Sequence, residues 1–132
     1  GTLAIRQSKG DLRELVTATP GDGAVAAPVA LLVNQGTSGA AEVFAAALDS
    51  NNRADLIGEH TIGRAARQRL IRLPDGSGLL LSYVRYLTPD AEALHEKGLA
   101  PDVAVDQPEV EFGAQPPATD ATLQTALDHI AS

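Results

Sequence analysis

The 132-residue sequence contains no cysteine, so disulfides, thiol nucleophiles and cysteine-based metal sites are excluded. It has no tryptophan or methionine, and phenylalanine and tyrosine together make up only 3%. Any core must therefore be built of Ala, Leu, Val and Ile packed closely. Only two lysines occur, Lys9 and Lys97, and the net charge is −7. That balance argues against nucleic-acid binding, which requires a basic face. No apolar run approaches the roughly 18 residues of a membrane span, so no membrane span is expected. No signal peptide is recognisable, and Gly1 leads directly into strand-like sequence without an initiator Met. A fragment of a longer protein is the expectation, with further features upstream.

The length suffices for one ordinary core. Leu3–Arg6 alternates apolar and polar residues as a half-buried strand does, and Leu12–Thr17 is expected to return as its hairpin partner. Thr19–Pro28 is a Gly/Pro/Ala loop. Val29–Val33 is continuously apolar, which predicts a strand buried on both faces in a parallel sheet. A helix follows from Ala40 to Leu48, with Ala40, Val43, Phe44, Ala47 and Leu48 on one apolar face for packing on the sheet. Ala54–Ile57 is the next buried strand, and β-α-β order implies a right-handed crossover. Arg67–Leu73 and Leu79–Leu87 flank Pro74-Asp75-Gly76, a hairpin signal. Thr88–Pro101 reads as a loop and Asp102–Val105 as a short last strand. Residues 106–118 read as a linker. Thr119 or Asp120 caps a final helix with Leu123, Leu127 and Ile130 on one face.

From Val29 to Val105 the chain resembles the carboxyl-terminal processing peptidases, or tail-specific proteases. The matching motifs keep the family's order. Asn34–Glu42 is a strand end, a small-residue turn and a Glu; Arg53 and Gly58-Glu59 follow an Ala-rich helix. Thr61-Ile62-Gly63-Arg64-Ala65-Ala66-Arg67-Gln68 stands where the family has Thr-x-Gly-Lys-Gly-x-x-Gln. Leu73–Ser77, Tyr86–Pro89 and Lys97–Asp102 complete the series. The resemblance implies an α/β fold, the ClpP/crotonase-like core of ββα units with a β-hairpin and a C-terminal helix. It implies residues 1–105 as a partial peptidase-like catalytic core, the linker, and residues 119–132 as a helix packing on the core. A PDZ domain and the first part of the catalytic domain lie outside this sequence.

The family works with a Ser–Lys dyad, and here both positions differ. Gly39 stands three residues before Glu42, where the resemblance places the nucleophile. Arg64 stands at the lysine position, and Gln68 retains a glutamine thought to assist the dyad. Glycine offers no atom for covalent catalysis. A desolvated lysine can lose its proton near neutral pH, whereas arginine stays protonated. Neither Lys9 nor Lys97 lies in the motif, so the usual dyad is excluded within this chain.

Ser38 is the candidate substitute nucleophile. One step along a helix turns a side chain by about 100°, so a helix cap or turn residue is the plainer role. Its base would be His60 or a group upstream of this sequence; His95 and His129 are further from the motif. Glu42 is expected to offset the helix dipole and tie the turn. Arg64 is expected to pair with Glu42, Glu59 or a substrate carboxylate. The Gly39 and Ala40 N–H groups, with Arg64, are the candidate binding groups, since the resemblance places an oxyanion hole at this turn. The turn is no Walker motif, no cluster has metal-ligand spacing, and no cofactor is called for.

Two functions follow. One is a degenerate serine-peptidase-like domain, a pseudoenzyme that binds a polypeptide or protein C-terminus or serves as a scaffold. The other is an active serine-type endopeptidase using Ser38. A crotonase-like acyl transfer is permitted by the fold but carried by no motif. The family resemblance implies an extracytoplasmic location, periplasmic or secreted. Apolar surface left uncovered would favour a homo-oligomer.

Overall fold

The computed structural model describes residues 1–21, 25–108, 113, 115 and 117–132. Parts of the expected loop at 19–28 and of the linker at 106–118 lie outside them.

Alternation at the start makes a hairpin of β1 (Thr2–Ser8) and β2 (Leu12–Thr17), antiparallel with Ile5 opposite Leu15. A second hairpin, β5 (Ala66–Arg72) and β6 (Gly78–Leu87), turns through Pro74–Ser77. Gly76 supplies a positive φ of 86° there, and Ser77 donates from its N–H and hydroxyl to the Asp75 carboxylate. Antiparallel pairing of β1 with β6 joins the hairpins in the order β2-β1-β6-β5.

The other layer is parallel, with β3 (Ala30–Val33), β4 (Asp55–Gly58) and β7 (Val103–Ala104) in the order β3-β4-β7. Helix α1 (Ala40–Ser50) connects β3 to β4 and packs against β1 and β4. Helix α2 (Ala121–Ala131) lies on β3 and β4, with Asp120 as its cap. The core joins Val33, Ala45, Ala46, Leu56, Ala65, Leu94 and Leu99. It is aliphatic, as the near-absence of aromatics requires. Leu94 and Leu99 come from the long loop before β7, which periodicity alone does not mark as core.

Two expectations need correction. The strand β3 is not buried on both faces: it is the edge of the parallel sheet and Leu32 is exposed, whereas β4 at the centre buries Leu56 and Ile57 completely. The helix α1 turns a partly different face to the core, keeping Ala47 and Val43 of the expected stripe. Glu42, Ala45, Ala46 and Ala47 are buried, while Phe44 is 58% exposed. Close approach of helix and sheet selects the small alanines. Val43 packs against the core and also borders a cavity, whose wall Phe44 and Leu48 continue.

Candidate active-site elbow

At the end of β3 the chain folds onto itself through Asn34. Its side-chain oxygen accepts from Gly36 N–H at 2.9 Å, its carbonyl accepts from Thr37 N–H at 2.9 Å, and its own N–H donates to Thr37 Oγ1 at 3.1 Å. Gly39 is then the N-cap of α1, with φ 62° and ψ −123°. L-residues reach that conformation only under strain, whereas glycine adopts it freely. A positive-φ residue between a strand and a helix has the backbone geometry of a nucleophile elbow. A Cβ built on Gly39 meets nothing within 4 Å, so a side chain at this position would have room.

Glu42 fixes the elbow. Its side chain is wholly buried, and both oxygens are occupied twice. Oε1 accepts from Thr61 Oγ1 and from Gly63 N–H, each at 2.6 Å. Oε2 accepts from Gly39 N–H at 3.1 Å and Arg64 N–H at 2.8 Å. One carboxylate thus ties the start of α1 to the segment that follows β4. Thr61 Oγ1 accepts in turn from Leu99 N–H at 2.8 Å. Gly63 and Gly98 cross backbone to backbone: a Cβ on Gly63 would come 2.8 Å from Gly98 N. The expected dipole role of Glu42 is therefore the smaller part of what it does. A Glu at the third helical position was the one local signal for this clamp, and it marks the tie to Gly39 but not the partners from Thr61 to Arg64.

The other candidates are brought near the elbow in unequal ways. Arg64 is held by its backbone, but its side chain is exposed and no salt bridge reaches it among the described residues. The expected pairing with Glu42 is thus made by the Arg64 N–H and not by its guanidinium. Ser38 is exposed and precedes the cap, so it does not cap α1; among the described residues its hydroxyl has no hydrogen-bond partner. His60 Nδ1 lies 2.9 Å from the Thr61 carbonyl, which makes it the donor there and turns the ring to its own backbone. Gln68 sits on β5 and donates to Ser82 Oγ at 3.3 Å. The Gly39 N–H is occupied by Glu42, which leaves the Ala40 N–H without an acceptor among the described residues.

Beside the elbow opens a cavity of about 590 Å³. Gly39 and Ala40 lie at one side, and α1 supplies its wall with Val43, Phe44, Ala47 and Leu48. The stripe read from the sequence as core-facing thus lines this cavity, with only Val43 and Ala47 also reaching the core. Leu3 and Val16 face it from β1 and β2. Its charged residues are Arg6 and Arg67, neither of which the motifs single out. Ser38, His60, Arg64 and Gln68 do not line it. No His/Asp/Glu cluster able to hold a metal occurs among the described residues. No helix among them is long and apolar enough to cross a membrane.

Comparison with known proteins agrees with this architecture. The sequence model of peptidase family S41 matches residues 2–105. A carboxyl-terminal-processing protease of Synechocystis sp. is 38% identical over 96% of this chain and 30% of its own length. A chloroplastic C-terminal processing peptidase of Tetradesmus obliquus is 36% identical over 83% of this chain and 24% of its own. The solved photosystem II D1 C-terminal processing protease superimposes with a TM-score of 0.72 at 35% identity, covering 80% of this chain and 28% of that one. The chain thus spans less than a third of these relatives' lengths.

Proposed function

The chain belongs to peptidase family S41, with the ClpP-like α/β core of its structural relatives, and from that premise we propose that it is a degenerate member of the family. It binds a polypeptide or protein C-terminus, or scaffolds an assembly, without cutting. One observation carries this reading: an elbow kept in its positive-φ shape around a residue, Gly39, that has no nucleophilic atom. At the position the resemblance assigns to the base stands Arg64, exposed and permanently charged. Gln68 occupies the third position, on a strand and directed to Ser82. The Ala40 N–H, the cavity beside it and the Arg64 side chain are the binding groups. An extracytoplasmic location and association between copies belong to the same reading.

The test uses the intact protein with an unstructured polypeptide and a serine-directed fluorophosphonate. The natural sequence is expected to give neither cleavage nor labelling. Labelling at Ser38 that disappears in Ser38→Ala would establish an active serine endopeptidase instead, with His60 or an upstream group as its base. The paired change Gly39→Ser with Arg64→Lys is expected to restore labelling. Room for a side chain at Gly39 and an intact Glu42 clamp support that expectation.

A further inference from the structure

The basic residues are not spread evenly over the molecule. The two hairpins, residues 2–17 and 66–87, hold seven of the ten lysines and arginines but only three of the seventeen acidic residues. A sheet of net positive charge therefore sits on an acidic body. Within that sheet β1 pairs with β6 only from Leu87 to Val84, and beyond Val84 β6 pairs with β5 alone among the described residues. Residues 68–82 thus project as a two-stranded arm. Such a ribbon on its own is marginal in water, and this one carries apolar side chains on both faces. Leu70 lies opposite Leu80 on one face; on the other, Leu79 lies opposite Ile71 and Leu81 opposite Arg69. The four leucines are 47–60% exposed. Each face also has one exposed arginine, Arg69 beside Leu81 and Arg72 on the side of Leu70, and neither has a salt bridge among the described residues. The one carboxylate of the arm, Asp75, is at its tip and accepts from the Ser77 N–H and hydroxyl.

Charge and shape together decide what covers such an arm. A second arm would bring arginine against arginine. A folded acidic partner, or the acidic body of a second copy, would shield one face and leave the other wet. A fluid anionic layer surrounds both faces at once and supplies the opposite charge. Leucines interleaved with arginines, whose stems lie along apolar surface while their heads stay in the polar layer, are the pattern of an interfacial element. We propose that the 68–82 arm docks on an anionic lipid surface. The four leucines enter the headgroup layer, Arg69 and Arg72 pair with lipid phosphates, and the acidic body faces away. The unpaired backbone edge of β5 holds the arm at that depth, because an open sheet edge does not enter the hydrocarbon. This docking is independent of what Gly39 does at the elbow.

Co-sedimentation of the intact protein with lipid vesicles tests this, using phosphatidylcholine alone and phosphatidylcholine mixed equally with phosphatidylglycerol. Binding to the anionic vesicles is expected to exceed binding to the neutral ones by about tenfold or more, and to fall with added salt. Arg69→Gln with Arg72→Gln is expected to lower anionic binding about tenfold and to leave neutral binding as it was. Leu70→Ser with Leu80→Ser is expected to lower both. All four positions are exposed, and an unchanged melting temperature shows that the variants are folded. Absence of binding to the anionic vesicles, equal binding to both lipids, or anionic binding that either paired variant leaves intact overturns the proposal. So does self-association that the leucine pair abolishes without any vesicle binding, which assigns the arm to a second copy. Binding to poly-glutamate that the arginine pair abolishes, again without vesicle binding, overturns it in favour of an acidic protein.

Discussion

Replacing Glu42 with glutamine would put an amide nitrogen where four donors now converge. One oxygen could still accept from Thr61 and Gly63, but the nitrogen would face the N–H groups of Gly39 and Arg64. Two buried donors opposed to a third leave an unsatisfied cluster, and the expected cost is about 2–4 kcal/mol. Urea denaturation of Glu42→Gln measures it; a loss under about 1 kcal/mol would mean that the clamp is replaceable. Little of this clamp was legible in the sequence. Glu42 stood at the third helical position, where a dipole or capping role is the local reading. Its other partners arrive from Thr61–Arg64, far along the chain, and only burial converts a surface charge into an anchor. Gly39 was legible, because the motif fixed its place; its φ and ψ were not.

At the scale of elements, both helices show periodicity finding a stripe without finding what the stripe faces. In α1 Phe44 and Leu48 border the cavity, Val43 and Ala47 reach both it and the core, and Ala45 and Ala46 are wholly in the core. In α2, Thr122 and Ala126 are buried while Leu123, Leu127 and Ile130 stay about half exposed. The cap of α2 was legible: the Asp120 carboxylate accepts from Thr122 N–H at 2.9 Å and Leu123 N–H at 3.1 Å. Asp120→Ala is expected to cost about 1 kcal/mol and to speed amide exchange in the first turn of α2 before that of β4. At the other end of α1, burial and then the charges of Asp102, Asp90 and Asp55 push the Asp49 carboxyl up. A carboxyl raised on folding disfavours the native state once it ionises, as pH rises through its folded value. Asp49→Asn is therefore expected to melt higher than the natural protein at neutral pH. The gain should vanish as pH falls below the usual carboxylate range, about 4. A gain independent of pH would assign the effect to packing instead.

At the scale of the molecule, the outer faces remain rich in apolar side chains. Leu70 and Leu80 pair across β5 and β6 and are both exposed, as are Leu79 and Leu81. The ridge of α2 adds Leu123, Leu127 and Ile130. Exposed apolar side chains on this scale favour association. Sedimentation of these 132 residues at tens of micromolar is expected to show concentration-dependent association that Leu70→Lys with Leu80→Lys weakens. If Leu123→Lys with Leu127→Lys weakens it instead, the helix ridge is the contact. A monomer at all concentrations would contradict both.

The order of strands and helices, the two hairpins and the membership of the family were written in the sequence. They depend on local periodicity, turn chemistry and motif order, which neighbouring residues carry among themselves. That Gly39 offers no side-chain oxygen was written there too, because no tertiary contact can give it one. Which face of α1 is core, where the Arg64 side chain goes, and that an apolar cavity opens beside Gly39 were decided only by tertiary structure. These depend on residues distant in the chain meeting at distances of a few ångströms. Burial, which sets the strength of every charge and hydrogen bond at the elbow, is a property of that meeting and of no single stretch.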